Sequence, residues 1–239
     1  MADTKFLIAS LTFALFCATS PNPLFPQKIS PDAHPKLLIA ECAQDGIYAS
    51  IPDGEGPSRA RIARIGDIDV EAQFIPPDGD GATFWFVRNG KTISSFIEKK
   101  LTASWVWIAV DHDINSPEEH DRIALTYSDG GAIGGFHVRV FQVTDDVVTD
   151  VSNAIEGAVS DFKARHYCKS RGNNITALKW IKGDLLLMTE VYPTGDCGPD
   201  LGHIEAYRVS VPDGKIRERL TLDQLKSYPG VCLQIEHDN

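Results

Sequence analysis

The sequence predicts a mainly β fold of the α+β class, in which antiparallel sheets pack with one amphipathic helix. Two features of the chain indicate this fold. Short apolar segments recur along it and are separated by turns rich in Gly, Pro, Asp and Asn, as in consecutive antiparallel strands. One segment, residues 150–165, instead carries its apolar side chains at helical spacing.

The clearest strand pattern lies between His166 and Leu220. Apolar residues 175–181 and 185–191 flank the turn Lys182-Gly183-Asp184, and residues 204–211 and 215–220 flank Pro212-Asp213-Gly214. Asn89-Gly90, nearer the N-terminus, is a strong hairpin signal. Strands are also expected at residues 46–51, 68–75, 83–87, 92–97, 105–110, 123–127 and 137–143.

The helix is predicted from a single apolar stripe, formed by Val151, Ile155, Ala158, Val159 and Phe162. A cap is expected at its start, from either Asp150 or Ser152, and the basic residues near its end suit the negative end of the helix dipole. A second, shorter helix is predicted at residues 221–226, with Thr221 as its cap.

A weak internal repeat accompanies the strands. Residues 134–148 and 202–216 align at a constant offset of 68, and residues 83–93 show a similar strand–turn–strand pattern. These hairpins would be either blades of an incomplete propeller-like repeat or unrelated hairpins of similar form. The chain lacks the length for four blades of about 40–50 residues and a helix, so packed antiparallel sheets are the preferred prediction.

Residues 1–20 have the organisation of a secretory signal peptide. Lys5 precedes an apolar segment at residues 6–16, and small residues follow it. This segment is shorter than the roughly 20 residues that span a bilayer, and no transmembrane segment is predicted in the mature chain. The protein is therefore predicted to be periplasmic or secreted. Lipid attachment at Cys17 is an alternative that the bulky Phe16 disfavours.

A proline-rich stretch follows the predicted leader. Residues 21–35 contain five prolines and are expected to form an extended linker. Residues 36–239 are then predicted to be a single β-rich, disulfide-linked domain.

Four cysteines remain after the leader: Cys42, Cys168, Cys197 and Cys232. An even number in an exported chain predicts disulfides, and four cysteines allow three pairings. Cys168 precedes and Cys197 follows the hairpin at residues 175–191, whose ends meet, so these two are predicted to pair. The Cys42–Cys232 bridge follows by subtraction. A four-cysteine zinc site is disfavoured because the sequence contains no C-x-x-C pair.

Residues 111–121 form an acidic segment suited to a cation. Asp111, Asp113 and Asn115 alternate, which would place three oxygen ligands on one side of a loop, as calcium requires. The pattern does not complete an EF-hand, because its sixth and twelfth positions lack the required Gly and Glu. The alternatives are a looser calcium site, a transition-metal site that includes His112 and His120, and a solvated acidic loop.

Other residue groupings are weaker candidates. His137 and His203 lie near the starts of the two repeat copies and would share a site if both copies folded alike. The tryptophans at 85, 105, 107 and 180, with Phe84 and Phe86, would form either core or an aromatic platform for sugar or peptide, and core is the more common outcome. No G-x-S-x-G motif occurs, and no catalytic residue is predicted.

These features favour a binding function. The net charge of −10 argues against non-specific nucleic-acid binding, which relies on a basic surface. We expect an exported, non-enzymatic binding or interaction protein for a cationic protein or a cell-envelope component, in the manner of an inhibitor or immunity protein. The alternatives are an envelope hydrolase or calcium-binding protein that uses residues 111–121, and a structural envelope component. No cofactor is predicted apart from calcium.

Overall fold

Consecutive antiparallel strands make up most of the protein. The computed structural model describes residues 36–39, 46–51, 59–75, 81–99, 101, 105–111, 121–129, 135–166, 168, 173–192, 197–211, 213–231 and 233–236. The strands are β1 (Lys36–Ile39), β2 (Gly46–Ser50), β3 (Ala60–Ile65), β4 (Ile68–Phe74), β5 (Ala82–Arg88), β6 (Lys91–Glu98), β7 (Trp105–Asp111), β8 (Asp121–Ser128), β9 (Phe136–Thr144), β10 (Val147–Asp150), β11 (Asn173–Ile181), β12 (Asp184–Val191), β13 (Ile204–Ser210), β14 (Ile216–Thr221) and β15 (Leu233–Glu236). The predicted mainly β fold is confirmed.

The described strands form three larger sheets and one two-stranded ribbon, all antiparallel. The first sheet has the order β3-β4-β5-β6, the second β10-β9-β8-β7-β2, and the third β11-β12-β13-β14. In the ribbon, β1 pairs with β15. Apart from β2 and the ribbon, every strand pairs with a neighbour in sequence. Two-residue turns join β3 to β4, β5 to β6, β9 to β10 and β11 to β12, and such turns leave little choice of partner.

Two of these short turns have a conformation specific to hairpins. In the first sheet Asn89 and Gly90 both have positive φ, at 51° and 75°, as a type I′ hairpin turn requires. In the third sheet Lys182 and Gly183 repeat this conformation, at 49° and 81°. Such a turn matches the right-handed twist of the strands it joins, and it fixes their register.

The internal repeat falls on equivalent strands of the three sheets. Residues 134–148 contain β9 and the start of β10, residues 202–216 contain β13 and the start of β14, and residues 83–93 contain most of β5 and the start of β6. Each pair supplies the third and fourth of four consecutive strands. The repeat therefore marks three successive four-stranded meanders.

The core lies between these sheets. One apolar cluster joins the first sheet to one face of the second, with Phe84, Phe86, Leu125 and Phe141 among its buried side chains. The opposite face of the second sheet, at Val140 and its neighbours, packs with the helix and the third sheet. Fully burying a side chain such as Phe stabilises the fold by roughly 1.5–3 kcal/mol relative to its exposure, so these two layers hold the sheets together.

The predicted amphipathic helix begins with a 3-10 turn, Ser152–Ile155, and continues as α1, Glu156–Arg165. Ile155, Ala158 and Phe162 are buried against the third sheet, which confirms the apolar stripe. The predicted start needs one correction. Neither Asp150 nor Ser152 is the cap, because the cap position is Val151 and no side chain caps the 3-10 turn. Asp150 is the last residue of β10, and its carboxylate accepts the Ser152 N–H at 2.9 Å.

The short C-terminal helix, α2 (Leu222–Lys226), is also confirmed. Thr221 caps it: the Thr221 side chain accepts the Gln224 N–H, and the Gln224 side chain accepts the Thr221 N–H, which is a capping box. Leu225 is buried on the face of the third sheet that points away from α1. Within the described part of the chain, neither helix has the length and apolarity to span a membrane.

Candidate functional site

The predicted Cys168–Cys197 disulfide is present and lies beside a network of charged and polar side chains. Its Cα atoms are 4.5 Å apart, and both cysteines are buried. Cys168 lies two residues after His166, where α1 has ended. Cys197 leads into a 3-10 turn, Gly198–Asp200, that precedes β13. The bridge therefore ties the end of α1 to the start of β13.

His166, His203 and Glu205 meet beside this bridge, and we call them the histidine cluster. One ligating atom from each lies within 4.8 Å of the other two. His166 Nε2 is 3.2 Å and His203 Nε2 is 3.4 Å from the same oxygen, Glu205 Oε1. The two imidazole rings stack, with centroids 3.9 Å apart and planes inclined by 25°.

Three local features position these side chains. The His166 N–H donates to the Phe162 carbonyl at 2.8 Å, so His166 is held on the last turn of α1. The Phe162 ring contacts both imidazoles, at centroid distances of 5.1 Å for His166 and 6.3 Å for His203. His203 and Glu205 are two residues apart at the start of β13, so the strand's alternation turns them to the same side.

Two hydrogen bonds from the Arg165 guanidinium hold the Glu205 carboxylate in place. Arg165 Nη1 donates to Glu205 Oε1 at 2.8 Å, and Arg165 Nη2 donates to Oε2 at 2.5 Å. Burial acts to raise the pKa of Glu205. The hydrogen bonds and charge of Arg165, with hydrogen bonds from His203 and His166, outweigh burial and lower the pKa to about 2. Glu205 is therefore a carboxylate throughout the neutral range.

The Tyr207 phenol belongs to the same network. Its hydroxyl donates to Asp161 Oδ2 at 2.9 Å and accepts a hydrogen bond from Arg165. Arg219 Nη2 donates to the same Asp161 carboxylate at 2.8 Å. Burial, followed by the bond to Asp161, raises the pKa of Tyr207, so the phenol keeps its proton. It acts as a neutral hydrogen-bonding group.

The ring of His166 is oriented from its other side by Asp200. His166 Nδ1 lies 3.3 Å from Asp200 Oδ1. The proton of the neutral His166 ring has two possible positions: an Nε2–H donates to Glu205 Oε1, whereas an Nδ1–H donated to Asp200 leaves the Nε2 lone pair for a metal ion. Two imidazole nitrogens and one carboxylate oxygen then converge, and this combination suits either a proton-sharing network or a transition-metal ion.

The residues predicted for a calcium site are only partly covered by the structure. Asp111 is the last residue of β7, where it pairs with Arg122 of β8. Asp113 and Asn115, with His112 and His120, lie outside the described residues. Calcium binding by Asp111, Asp113 and Asn115 therefore stays a prediction.

The second predicted disulfide also falls outside the described residues, since neither Cys42 nor Cys232 is covered. The ribbon provides indirect support, because Ile39 of β1 is opposite Leu233 of β15. Cys232 is adjacent to Leu233 in sequence, and Cys42 is three residues from Ile39. The Cys42–Cys232 bridge remains a prediction.

The internal repeat suggested that His137 and His203 share a site, but the two histidines contact different residues. His137 Nε2 lies 3.0 Å from Asp129 Oδ2, whereas His203 contacts His166 and Glu205. Sequence reasoning missed the pairing of His203 with His166. Two signals point to it: both histidines lie close to a predicted disulfide, and His203-x-Glu205 places two ligating side chains on one face of a strand.

Most of the aromatic side chains proposed as a platform belong to the core. Phe84, Phe86, Trp107 and Trp180 are buried, which confirms the core interpretation for these four. Trp180 Nε1 donates to the Ala109 carbonyl at 3.1 Å across two sheets. Trp85 is only half-buried, and the Arg59 guanidinium covers its ring at 4.6 Å.

Comparison with known proteins gives no further identification: no family model matches this chain, and no match was found among curated proteins or solved structures.

Proposed function

We propose that the protein is exported to the cell envelope and acts as a non-enzymatic binding protein for a cationic protein partner. The observation that carries this proposal is the distribution of charge. Three connections between strands, residues 52–58, 76–80 and 112–120, together contain seven Asp and Glu and no Lys or Arg. The described residues, in contrast, hold nearly equal numbers of acidic and basic side chains.

Within the sheets, the carboxylates are largely matched by arginines of the same chain. Arg208 pairs with Asp184 at 3.1 Å and with Glu218 at 3.5 Å. Arg139 pairs with Asp150 at 2.8 Å and with Glu98 at 3.3 Å. The negative charge that gives the chain its net −10 is therefore concentrated in inter-strand connections. Connections on a rigid scaffold commonly carry recognition, and acidic ones steer cationic partners.

Two features support the export part of this proposal. A signal peptide is predicted at residues 1–20, and the Cys168–Cys197 bridge suits an oxidising compartment. Mass spectrometry of the protein recovered from a periplasmic extract tests this part. We expect a mature N-terminus close to residue 21 and protection of Cys168 and Cys197 from alkylation. A periplasmic protein that retains Met1 would contradict cleavage.

Binding is tested with the full mature chain and poly-L-lysine as the probe, at several salt concentrations and in the presence of EDTA. One variant neutralises carboxylates in the connections: Asp78→Asn, Asp80→Asn, Asp113→Asn, Glu118→Gln and Glu119→Gln. A matched control with the same net charge neutralises exposed carboxylates elsewhere: Asp67→Asn, Asp145→Asn, Asp146→Asn, Glu156→Gln and Asp223→Asn.

We expect the connection variant to bind poly-L-lysine about tenfold more weakly than the control, because local charge rather than net charge would recognise the probe. Equal affinity of the two variants would overturn the proposal, since net charge alone would then explain binding. The calcium hypothesis uses some of the same residues and is separated by calorimetry with Ca²⁺ in the absence of EDTA. Tight one-to-one binding that Asp113→Asn abolishes would favour it.

A further inference from the structure

We propose that the histidine cluster is a binding site for a divalent transition-metal ion of the zinc class, with His166 Nε2, His203 Nε2 and Glu205 Oε1 as its ligands. This site is distinct from the acidic connections and does not depend on the proposed partner. The proposal stands on the convergence of three ligating atoms within 4.8 Å of one another.

The spacing of these atoms suits a tetrahedral ion. Zinc–nitrogen and zinc–oxygen bonds are about 2.0–2.1 Å long, so neighbouring ligands of a tetrahedron are about 3.3–3.4 Å apart. His166 Nε2 and His203 Nε2 lie 3.2 Å and 3.4 Å from Glu205 Oε1. These two distances match tetrahedral edges, whereas the stacked imidazole planes are inclined by only 25°, so the rings would have to turn for both lone pairs to point at one ion. Three protein ligands leave the fourth position for water or for a group from another molecule.

The ligand types select the class of metal. Two imidazoles and one carboxylate suit Zn²⁺, Cu²⁺ or Ni²⁺, whereas Ca²⁺ and Mg²⁺ prefer oxygen ligands alone. The acidic connections and this cluster therefore call for different cations.

The structure also supplies the outer support that metal-binding histidines usually have. Asp200 Oδ1 lies 3.3 Å from His166 Nδ1, on the side of the ring opposite the ligating atom. Such a carboxylate fixes the tautomer and orientation of the imidazole. The Cys168–Cys197 bridge holds together the two chain segments that carry the ligands, so the site is organised before an ion arrives.

Among the described residues that contact the ligand atoms, Arg165 is the cation that opposes a metal. Its Nη1 atom is 2.8 Å from Glu205 Oε1 and 3.2 Å from His166 Nε2, so the guanidinium contacts two of the three ligand atoms. An ion must displace this group. Arg165 has another carboxylate within reach, because its Nη2 also donates to Asp161 Oδ2 at 3.1 Å. We infer that Arg165 acts as an internal competing cation that sets the metal affinity.

The test uses the full mature protein, freed of metal, titrated with Zn²⁺ by calorimetry and with Co²⁺ by visible absorption. We expect one equivalent of metal and the intense absorption of tetrahedral Co²⁺. Asp200→Asn should weaken binding by about 10–100-fold, as loss of an outer partner does, and His203→Ala should weaken it further. His137→Ala is the matched control, because it removes another carboxylate-paired histidine that lies outside the cluster.

Arg165→Met tests the competing cation. Removing a unit positive charge beside the ligands should tighten Zn²⁺ binding by at least about tenfold. His203 is partly exposed, so His203→Ala is expected to fold, and circular dichroism checks this. Failure of the folded wild-type protein to bind Zn²⁺ or Co²⁺ would overturn the site, whatever Arg165→Met does. Equal binding by His203→Ala and wild type would overturn the ligand assignment, and weaker binding by Arg165→Met would overturn the role of Arg165.

Discussion

Removal of the Cys168–Cys197 disulfide gives the most direct test of how the site is held together. The bridge closes a loop with a sequence separation of 29 residues, which contains the whole β11–β12 hairpin. In the chain-entropy model, a loop of this length stabilises the folded state by about 3–4 kcal/mol, because it restricts the unfolded chain. Both cysteines are buried, so alanine is the appropriate replacement, since it avoids burying an unpaired hydroxyl.

The assay is urea unfolding of the double variant Cys168→Ala and Cys197→Ala, followed by tryptophan fluorescence. We expect the free energy of unfolding to fall by about 3–4 kcal/mol relative to wild type. Wild type measured with a reductant is the companion sample. It should lose more stability than the variant if the predicted Cys42–Cys232 bridge also forms. A loss below about 1 kcal/mol in the double variant would refute the loop-closure reasoning.

Three other substitutions test the core and its buried polar groups. Burial raises the pKa of Glu190 from 4.5 to about 7, against a hydrogen bond from Asn174, so the folded state loses stability as pH rises from 4.5 to 7. Glu190→Gln should raise the melting temperature at pH 8 but not at pH 4, and equal shifts would contradict this. Trp180→Phe leaves the buried Ala109 carbonyl without its indole donor and should cost about 1–3 kcal/mol in urea unfolding. Phe162→Ala should cost about 3–5 kcal/mol in the same assay and disturb both imidazoles.

The parts of the fold that sequence predicted are those governed by local interactions. The hairpin at Lys182-Gly183 was identifiable because turn residues separate two apolar segments, and β11 and β12 pair across it. The stripe ending at Phe162 predicted α1 because helical spacing is visible within one segment. Hairpins and helices of this kind depend on residues close in the chain, so a single sequence contains the information they need.

Other elements depend on distant residues. β3, with the sequence ARIARI, was not predicted, and neither was the pairing of β1 with β15 at opposite ends of the domain. β10 has only four residues, three of them exposed, so it lacks a clear apolar alternation. These strands form because they pair with other strands, and the local sequence pattern does not reveal such pairing.

The histidine cluster also depends on residues that are distant in sequence, but a predicted disulfide could have located it. His166 and His203 are separated by the β11–β12 hairpin, and the local His203-x-Glu205 spacing is too short a pattern to indicate a metal site by itself. The predicted disulfide nevertheless places Cys168 beside Cys197, and each histidine lies a few residues from one of them. A covalent constraint inferred from sequence would thus have pointed to this neighbourhood, although the alignment of the rings depends on Phe162 and Arg165.

The position of β2 in the second sheet indicates how this protein could be engineered. Ser50, the last residue of β2, is opposite Trp105, the first residue of β7, so the two strands form a hairpin whose connection is the entire first sheet. That sheet is thus topologically a domain insertion, with its entry and exit at adjacent points. Recombination or engineering at these two points would exchange the whole inserted meander for a short turn or another module, provided that the newly uncovered face of the second sheet were made polar.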